Sequence, residues 1–348
     1  MKTNLIVYVA SIFVLISCQK EEINIGKGIS ETFYVQSDGA SMRVLVEGNT
    51  ASKTILLFVH GGPGSSSYFY NSDYISKNVE NKYAVAYWDQ RNAGASQGNN
   101  NGENLNLKTM TTDLKKVIQV LKHRYGQEIS VFILGHSWGG MLSASFITTE
   151  NNQALIKGWI VCSGSHNYPL NNELSKSGLI FFANQQIALN KRVVEWTEIL
   201  NYCNTLPNSN FTKDQSDKLN GYSTDSEKYF DEVKPVSPTD IIRANAIKQN
   251  YAVTSTYLNL LYSQSANLNN ELVNYELSSQ LNKVTIPVLT LYGKYDLICP
   301  PALGDDIINR VSSTNKFNYI LPNSSHVGMI QDEALFCNSV NGFIEQFK

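Results

Sequence analysis

The sequence predicts an α/β fold, in which a mostly parallel β-sheet is flanked by helices and carries an inserted helical cap. Strand-like apolar runs alternate with helix-like stretches, which is the pattern of parallel strands joined by right-handed helical crossovers. The runs 54–59 and 83–88 are continuously apolar, as in strands buried on both faces. Functional sites in such sheets lie at the carboxyl ends of the strands. The loops that follow the strands are therefore the candidate functional region.

Each element has its own signal along the chain. Alternating residues around Ser37-Asp38-Gly39-Ala40 predict a hairpin, and β-branched and aromatic runs predict the buried strands. The predicted strands are 31–36, 41–47, 54–59, 83–88, 129–134, 156–161, 286–293 and 317–321. The predicted helices are a segment capped by Thr112 or Asp113 that runs to about Arg124, the stretches 141–147, 179–200 and 241–261, and a helix after Pro300-Pro301. We therefore divide the chain into a first core part (31–165), a helical cap (166–283) and a second core part (284–348).

Composition and charge are those of a globular protein with a sizeable core. The chain has 348 residues, of which 42% are hydrophobic, and its formal net charge is −2. This length suits one large or two small domains. Because no basic run or stripe is present, nucleic acid is not expected as a partner.

The N-terminus has the pattern of an export signal. Lys2 precedes an apolar run, 5–16, that is too short to span a bilayer comfortably. The run ends in Leu15-Ile16-Ser17-Cys18, which resembles the lipobox of bacterial lipoproteins. That resemblance implies cleavage after a signal peptide (1–17), lipidation of Cys18 and a lipid-anchored tether (18–30). We therefore expect an exported cell-envelope lipoprotein, held at the membrane and facing the periplasm or the cell surface; a plain signal peptide or a short membrane anchor is the alternative.

The other four cysteines do not have the spacing of a metal site. They are Cys162, Cys203, Cys299 and Cys337. In an oxidising compartment they could form up to two disulfides, whose connectivity the sequence does not decide. Buried free thiols are the equal alternative.

The most informative stretch is Gly135-His136-Ser137-Trp138-Gly139-Gly140. It lies between a predicted strand and a predicted helix, which is the context of a nucleophile elbow with Ser137 at its tip. The glycines are required because side chains two residues on either side of the serine would collide where the turn closes. An ordinary glycine-rich turn is the alternative, so the assignment depends on partners elsewhere in the chain.

A second glycine-rich loop, His60-Gly61-Gly62-Pro63-Gly64, follows the predicted strand 54–59. Its glycines let the backbone approach a substrate, and the amide of Gly62 could form an oxyanion hole with the amide of Trp138. We expect the other residues of the loop, His60, Gly61, Pro63 and Gly64, to line the substrate site, unless the loop is a simple surface turn. After the next strand, Asp89 and Arg91 could pair below the site in a structural role.

A base and an orienting acid must accompany Ser137 for the alkoxide to form at neutral pH. Asp296 and His326 each lie in the loop after a predicted strand, and the order Ser, Asp, His is that of the α/β-hydrolases. Only five histidines are present. His136 is too close to Ser137 to turn back onto it, His60 belongs to the second glycine-rich loop, and His123 falls in a charged helix. His166 is the remaining rival for the base.

These motifs resemble the proline iminopeptidase branch of the α/β-hydrolases. The likeness rests on the 60–64 loop, on Trp88-Asp89-Gln90-Arg91 and on the 135–140 elbow, and it covers roughly residues 31–165 and 284–348. It implies a triad of Ser137, Asp296 and His326, oxyanion donors at Gly62 and Trp138, and release of an N-terminal residue, often proline, from peptides. The chain departs from the family at Asn92, where glycine is usual, so the local backbone shape could differ.

An exopeptidase needs a carboxylate for the free ammonium of its substrate, because burying that charge unpaired is costly. In the family, cap glutamates within an aromatic-flanked motif do this. Val194-Glu195-Trp196-Thr197-Glu198 is a partial match, so Glu195 and Glu198 are candidates, although a solvated helix face is the simpler reading of Glu198.

Three functions follow from these features. The first is a serine aminopeptidase that acts on short peptides through an acyl-enzyme, and the second is a carboxylesterase or lipase that uses the same triad on small esters. The third is a surface binding protein that has kept the fold without the activity. Haloalkane dehalogenases and epoxide hydrolases are excluded, because their nucleophile is an aspartate at the position of Ser137. Neither a metal nor an organic cofactor is required.

Overall fold

The computed structural model describes residues 23, 25–98, 104–236, 257–259, 261 and 267–348. Within these residues, nine strands form one sheet. They are β1 (Ile29–Ser37), β2 (Ala40–Gly48), β3 (Thr54–Val59), β4 (Ala84–Trp88), β5 (Gln97–Gly98), β6 (Ser130–Ser137), β7 (Gly158–Gly164), β8 (Val288–Gly293) and β9 (Lys316–Leu321). The order across the sheet is β1-β2-β4-β3-β6-β7-β8-β9, with β5 paired to β2.

Most of the sheet is parallel. β1 and β2 form an antiparallel hairpin, β2 pairs antiparallel with β4, and every pair from β4 to β9 is parallel. The hairpin turns at Asp38 and Gly39, which both have positive φ (44° and 79°), as a two-residue hairpin turn requires. The predicted fold class is confirmed.

Helices pack on both faces of this sheet, and further helices are inserted after β7. Those of the described residues are α1 (Asp73–Ile75), α2 (Leu107–Tyr125), α3 (Trp138–Thr148), α4 (Tyr168–Ala188), α5 (Val193–Thr205), α6 (Lys213–Ser226), α7 (Asn267–Leu272), α8 (Ala302–Arg310), α9 (Gly328–Gln331) and α10 (Glu333–Phe347). Short 3-10 turns lie at Thr50–Ser52, Ser67–Tyr70, Asn152–Leu155, Glu227–Tyr229 and Ser278–Lys283, and a π turn lies at Ser76–Glu80.

The core consists of two apolar clusters, one on each face of the sheet. One cluster joins alternate strand residues, such as Ile55 and Val131, to α2, α3 and α8. The other joins the intervening residues, such as Leu56 and Phe132, to α10. Every residue of β3 and β4 is buried, which explains why their continuous apolar runs were recognisable in the sequence.

A third apolar cluster holds helices α4, α5 and α6 together and joins them to the loop after β8. Trp196 of α5 is fully buried there, and its ring centroid lies 5.5 Å from that of Phe230. Phe230 in turn packs on Tyr295, with ring centroids 4.8 Å apart, so the inserted helices contact the core directly beside Asp296.

Helix α2 begins earlier than predicted. Asn106 is its N-cap, and its side chain accepts a hydrogen bond from the backbone N–H of Thr109 at 2.9 Å. The proposed caps Thr112 and Asp113 lie inside the helix. Asp113 is buried because it pairs with Arg91, a tertiary contact that the local sequence does not reveal.

The predicted helix 179–200 is wrong as a single element. The chain instead ends α4 at Ala188 and starts α5 at Val193. Between them, Asn190 and Arg192 adopt the left-handed region, with φ of 57° and 44°, which breaks the helix. Most of the predicted helix 241–261 falls outside the described residues.

The predicted signal peptide and Cys18 also lie outside the described residues, as does most of the tether. Among the helices of the described ranges, none is long and apolar enough to cross a membrane. The other four cysteines are buried free thiols in the structure, which is one of the two alternatives that the sequence left open.

Candidate active site

Ser137 lies on a sharp turn between β6 and α3. Its φ of 55° and ψ of −122° are strained for a residue with a side chain, as expected of a nucleophile elbow. A Cβ on Gly135 would lie 2.4 Å from the Gly139 carbonyl oxygen, and one on Gly139 would lie 1.9 Å from that of Val59. The predicted steric requirement for these glycines is confirmed.

Asp296 and His326 are hydrogen-bonded to each other. Nδ1 of His326 lies 3.2 Å and 3.1 Å from the two carboxylate oxygens of Asp296, which is fully buried. The backbone N–H groups of Ile298 and Cys299 donate to Asp296 Oδ1 at 3.0 Å and 2.8 Å and hold the carboxylate in place. Because an ionised carboxylate can only accept, Nδ1 carries the proton and Nε2 of the neutral ring is left as the basic nitrogen.

The surroundings of His326 favour its protonated form. Burial lowers the pKa of this imidazole, but the charge and the hydrogen bond of Asp296 outweigh burial, and the charge of Glu227 adds to them. The net effect raises the pKa of His326 above its ordinary value of 6.5.

His136 connects the elbow to the loop that carries His326. Its Nε2 donates to the backbone carbonyl of His326 at 2.9 Å, and its Nδ1 accepts from the Tyr70 hydroxyl at 2.7 Å. That hydroxyl also accepts from the backbone N–H of Gly61 at 3.3 Å. Burial first, and then the charge of His326, lower the pKa of His136 to about 3, so its ring is neutral and suited to these two bonds. Tyr70 was not singled out from the sequence.

His60 is a structural member of the second glycine-rich loop. Its Nε2 accepts from the backbone N–H of Gln90 at 3.0 Å, and its Nδ1 donates to the Gly61 carbonyl at 2.7 Å. Burial lowers its pKa, which keeps the ring neutral. The side chain of Gln90 donates to the His60 carbonyl and accepts from the Trp138 indole N–H, so it fixes this loop against the elbow.

The backbone of this loop comes very close to Ser137. A Cβ on Gly61 would lie 2.9 Å from the Cβ of Ser137, and a Cβ on Gly62, whose φ is 117°, would lie 2.8 Å from the amide nitrogen of Gly64. Glycine is therefore required at both positions. The peptide bond between Gly62 and Pro63 is cis.

A cavity of about 520 Å³ opens beside Ser137. It lies between the strand ends and helices α4, α6 and α7, and more than half of the residues that line it are polar. The lining residues are Gly62, Pro63, Ser137, Trp138, Ser165, Tyr168, Asn171, Asn172, Ser175, Lys213, Ser216, Asp217, Leu219, Asn220, Asn269, Leu272, Val273, Ile298 and Cys299. Both candidate oxyanion donors, Gly62 and Trp138, thus border the same space as Ser137. Trp138 is the first residue of α3, so its N–H has no acceptor within the helix.

His166, the rival for the base, is fully buried and has a different partner. Its Nε2 lies 2.8 Å from Asp306 Oδ2 on α8, and Asp306 is also bonded to Arg310 and Ser278. The structure therefore brings His326, and not His166, together with Asp296.

The expected pair between Asp89 and Arg91 is wrong. Arg91 forms two bonds to Asp113, at 2.8 Å and 3.0 Å. Asp89 instead accepts from the hydroxyl of Ser66 at 2.6 Å and lies 3.8 Å from Arg43. Both side chains are structural, as expected, but they act in separate networks.

Asn92 has a φ of 55°, in the left-handed region that glycine adopts easily. Asparagine is among the residues that tolerate this region best. Asn92 therefore adopts a backbone conformation that glycine would also adopt at this position. The different backbone shape that the sequence led us to expect does not follow from this residue.

Neither proposed cap glutamate lines the cavity. Glu195 pairs with Arg192, and Glu198 accepts from the Tyr222 hydroxyl on the outside of the helices. A different carboxylate, that of Glu227, contacts the loop of His326, although it too is absent from the lining of the cavity. Glu227 Oε1 accepts from the backbone N–H of His326 at 2.8 Å. The aromatic residues that follow Glu227 are the one sequence signal that could have identified it.

Glu227 forms no ion pair with a lysine or arginine among the described residues, and the nearby positive charge is that of the His326 imidazole when protonated. Burial, reinforced by the charge of Asp296 and opposed by that of His326, raises the pKa of Glu227 to about 6. Asp217, the carboxylate that does line the cavity, is already paired with Lys213.

The fold and the arrangement of Ser137, Asp296 and His326 at the strand ends define an α/β-hydrolase. The family model described as serine aminopeptidase, S33, matches residues 50–333, and the chain therefore belongs to that family.

The chain is similar in sequence to peptidases and in fold to an esterase. The chain is similar to the probable aminopeptidase YbaC of Bacillus subtilis (strain 168), with 21% identity over 315 residues, covering 86% of this chain and 91% of the relative. It is similar to the proline iminopeptidase of Lactobacillus acidophilus, with 24% identity over 291 residues, covering 82% of this chain and 88% of the relative. Among solved structures it resembles an esterase (EaEST) from Exiguobacterium antarcticum. The identity is 16%, the TM-score is 0.58, and the match covers 90% of this chain and 100% of the esterase. This last likeness concerns the fold alone.

Proposed function

We propose that the protein is a serine aminopeptidase that releases N-terminal residues, proline among them, from short peptides through an acyl-enzyme. The observation that carries the proposal is the hydrogen-bonded pair of Asp296 and His326, which His136 joins to the elbow of Ser137, while Ser137 itself lines a polar cavity. Membership of the serine aminopeptidase family and the similarity to a proline iminopeptidase support it.

In the acylation step, Ser137 Oγ attacks the carbonyl carbon of the first peptide bond, and Nε2 of His326 accepts the hydroxyl proton. Asp296 orients the ring and stabilises the imidazolium. The backbone N–H groups of Gly62 and Trp138 donate to the oxyanion, where preorganised donors stabilise the developing charge. The imidazolium then protonates the leaving amine, the C–N bond breaks, and an ester forms at Ser137.

In the deacylation step, water takes the place of the amine. The water oxygen attacks the ester carbonyl while His326 accepts a proton from the water. The N–H groups of Gly62 and Trp138 stabilise the second oxyanion. His326 then returns the proton to Ser137 Oγ, and the free amino acid leaves.

Glu227 is our candidate for the group that binds the free ammonium of the substrate. It is a half-buried carboxylate that accepts a hydrogen bond from the backbone N–H of His326, and it forms no ion pair with a lysine or arginine among the described residues. A substrate ammonium would supply the missing charge and would favour the ionised carboxylate. Asp217 is less suited to this role, because Lys213 already neutralises it.

The composition of the cavity supports a peptide substrate over a fatty ester. An acyl tunnel for a lipase or carboxylesterase would be lined mainly by apolar side chains, whereas this wall contains the amides of Asn171, Asn172, Asn220 and Asn269. Hydrolysis of a short-chain ester is the competing function.

The experiment uses protein from residue 19 onward, which keeps all of β1, incubated with a biotinylated fluorophosphonate and, separately, with proline 2-naphthylamide and a short-chain nitrophenyl ester. We expect the probe to label Ser137, identified by peptide mass spectrometry, and we expect the naphthylamide to be hydrolysed. Ser137→Ala should abolish both signals. Labelling with turnover of the ester alone would make the protein an esterase, and absence of labelling would favour a binding protein without activity.

We also propose that the enzyme is a cell-envelope lipoprotein anchored through Cys18. The lipobox-like sequence before this residue supports the proposal. Expression of the full chain in a bacterium fed radiolabelled palmitate should give a labelled membrane-bound protein, and Cys18→Ala should lose the label. A labelled Cys18→Ala variant would contradict the proposal.

A further inference from the structure

Three polar side-chain atoms in the wall of the cavity beside Ser137 have no hydrogen-bond partner among the described residues. They are Ser165 Oγ, Asn171 Oδ1 and Asn172 Nδ2. Ser165 is 2% exposed, Asn171 8% and Asn172 5%, so all three side chains are more than nine-tenths buried. Buried polar atoms are almost always bonded, because leaving one unsatisfied is costly. All three border the same cavity, where a bound ligand can complete their bonding.

Ser165 connects this group of atoms to the nucleophile. It directly follows β7, and its backbone N–H donates to the carbonyl of Ser137 at 3.2 Å. Asn171 and Asn172 follow on the first turn of α4, which starts at Tyr168 and is capped by Asn167. The three side chains therefore border the cavity on the side where the chain passes from the core into the inserted helices.

The amide group of Asn171 has a defined orientation. Its Nδ2 donates to the backbone carbonyl of Ile298 at 2.8 Å, and a carbonyl oxygen can only accept. The unpartnered atom of Asn171 is therefore the acceptor Oδ1.

The amide group of Asn172 offers the opposite function. Its Oδ1 accepts from the Ser216 hydroxyl of α6 at 2.9 Å, which leaves Nδ2 as an unpartnered donor. With the hydroxyl of Ser165, which can donate or accept, the wall thus presents an acceptor, a donor and a group that can be either.

This combination is complementary to a peptide backbone. Each peptide unit presents one N–H donor and one carbonyl acceptor, whereas an alkyl chain offers neither and a phosphate offers only acceptors. We propose that Ser165, Asn171 and Asn172 form a subsite that binds the second peptide unit of the substrate, beyond the bond that Ser137 attacks. The inference rests on the proposed aminopeptidase function and adds a substrate class to it: peptides with at least two amide linkages, bound by their backbone whatever their second side chain.

Two variants test the subsite without removing contacts within the protein. Ser165→Ala removes a hydroxyl that bonds to no described group. Asn172→Asp keeps the oxygen that accepts from Ser216 and replaces the free donor by an acceptor. The matched controls are Ser163→Ala, whose hydroxyl is also buried and unpartnered but does not line the cavity, and Asn184→Asp, an exposed position on the same helix α4.

The measured quantity is the ratio of kcat/KM for prolyl-alanine N-methylamide, which has a second peptide unit, to kcat/KM for proline 2-naphthylamide, which lacks one. Losing one hydrogen bond to the substrate should lower this ratio about tenfold in each test variant. The control variants should retain the wild-type ratio. An unchanged ratio in both test variants overturns the subsite.

A substrate pair gives an independent test on the wild-type enzyme. Prolyl-alanine methyl ester differs from the N-methylamide only by an oxygen in place of the second N–H. We expect proline release from the N-methylamide to be about tenfold more efficient. Equal efficiencies overturn the subsite while leaving the aminopeptidase function intact. If wild-type protein releases no proline from the naphthylamide or from either dipeptide derivative, the proposed function itself fails, and the subsite fails with it.

Discussion

The imidazole of His136 donates a hydrogen bond of 2.9 Å to the backbone carbonyl of His326. The residue before the candidate nucleophile therefore holds the loop of the candidate base, and their rings lie 4.8 Å apart between centroids. Tyr70 completes the connection, because its hydroxyl bonds to His136 and to the Gly61 backbone. The three segments that carry the proposed nucleophile, base and oxyanion loop are thus joined by neutral hydrogen bonds.

Tyr70→Phe should lower activity without unfolding the protein. The phenyl ring keeps its stacking on Phe58, with centroids 5.6 Å apart, while the two hydroxyl bonds are lost. We expect kcat to fall about tenfold with little change in KM, and stability to fall by about 1–2 kcal/mol. Steady-state kinetics and urea unfolding measure the two effects. An unchanged kcat would show that this network is structural only.

Asp296→Asn should nearly abolish turnover. Asparagine is close in shape, but its amide N–H₂ favours the wrong tautomer of His326, in which Nε2 carries the proton and cannot act as the base. The corresponding change in serine proteases lowers kcat by about 10⁴-fold, and a loss of similar size is expected here. Asp306→Asn is the matched control, because it alters the aspartate bonded to His166. A larger loss in the control would make His166 the base.

The pH dependence of kcat/KM should show an acid limb set by His326. Only the neutral imidazole accepts the serine proton, so activity should fall as the pH drops through the raised pKa of His326. The midpoint should therefore lie above 6.5, the ordinary value. The ester substrate is suited to this measurement, since it carries no ammonium. A midpoint near 5 would contradict the assigned environment of His326.

Glu227→Gln should shift that acid limb to lower pH, because the carboxylate charge of Glu227 helps to raise the pKa of His326. KM for proline 2-naphthylamide should rise at the same time, whereas KM for the ester should not change. Glu198→Gln, on the outside of the helices, is the control and should alter neither quantity. An equal rise in KM for both substrates would remove Glu227 from ammonium binding.

Glu227→Gln should also change the free energy of unfolding in a pH-dependent way. The pKa of Glu227 is raised in the folded state, so the folded protein binds this proton more tightly than the unfolded chain does. The resulting stabilisation is fully present below about pH 4.5 and is lost as the pH rises through about 6. At pH 8, Glu227→Gln should therefore be more stable than the wild type, by about 1–2 kcal/mol. A less stable variant at pH 8 would contradict this environment.

The four cysteines of the described residues should react only after unfolding. Burial, opposed by the charge of Lys176, raises the pKa of Cys203 to about 11, and burial together with the charge of Glu333 raises that of Cys337 to about 12. Protein from residue 19 onward, which lacks Cys18 and keeps all of β1, should show little reaction with a thiol reagent when folded and four reactive thiols in denaturant without reductant. Fewer than four thiols in the denatured protein would reveal a disulfide.

Much of the core could be predicted from the sequence, because its signals are local. Strand 54–59 was predicted to the residue, since burial on both faces leaves a continuous apolar run. The elbow glycines and the loops of Asp296 and His326 were found for a similar reason: their positions follow directly from the ends of recognisable strands.

The rest of the site depends on contacts between distant parts of the chain. Tyr70 meets His136 across 66 positions, and Glu227 meets His326 across 99. The break between α4 and α5 depends on the left-handed conformations of Asn190 and Arg192, which the helical pattern around them concealed. The orientation of Asn171 is set by a carbonyl 127 positions away. Neither periodicity nor spacing reports such contacts.

The central claim is that the site cleaves a peptide-type bond next to a free amine. The most direct measurement compares kcat/KM for proline 2-naphthylamide with that for its N-acetylated form, using wild-type protein and Ser137→Ala. We expect rapid cleavage of the free-amine substrate, loss of nearly all activity on acetylation, and none in the variant. Equal cleavage of both forms, or turnover of esters alone, would contradict the account.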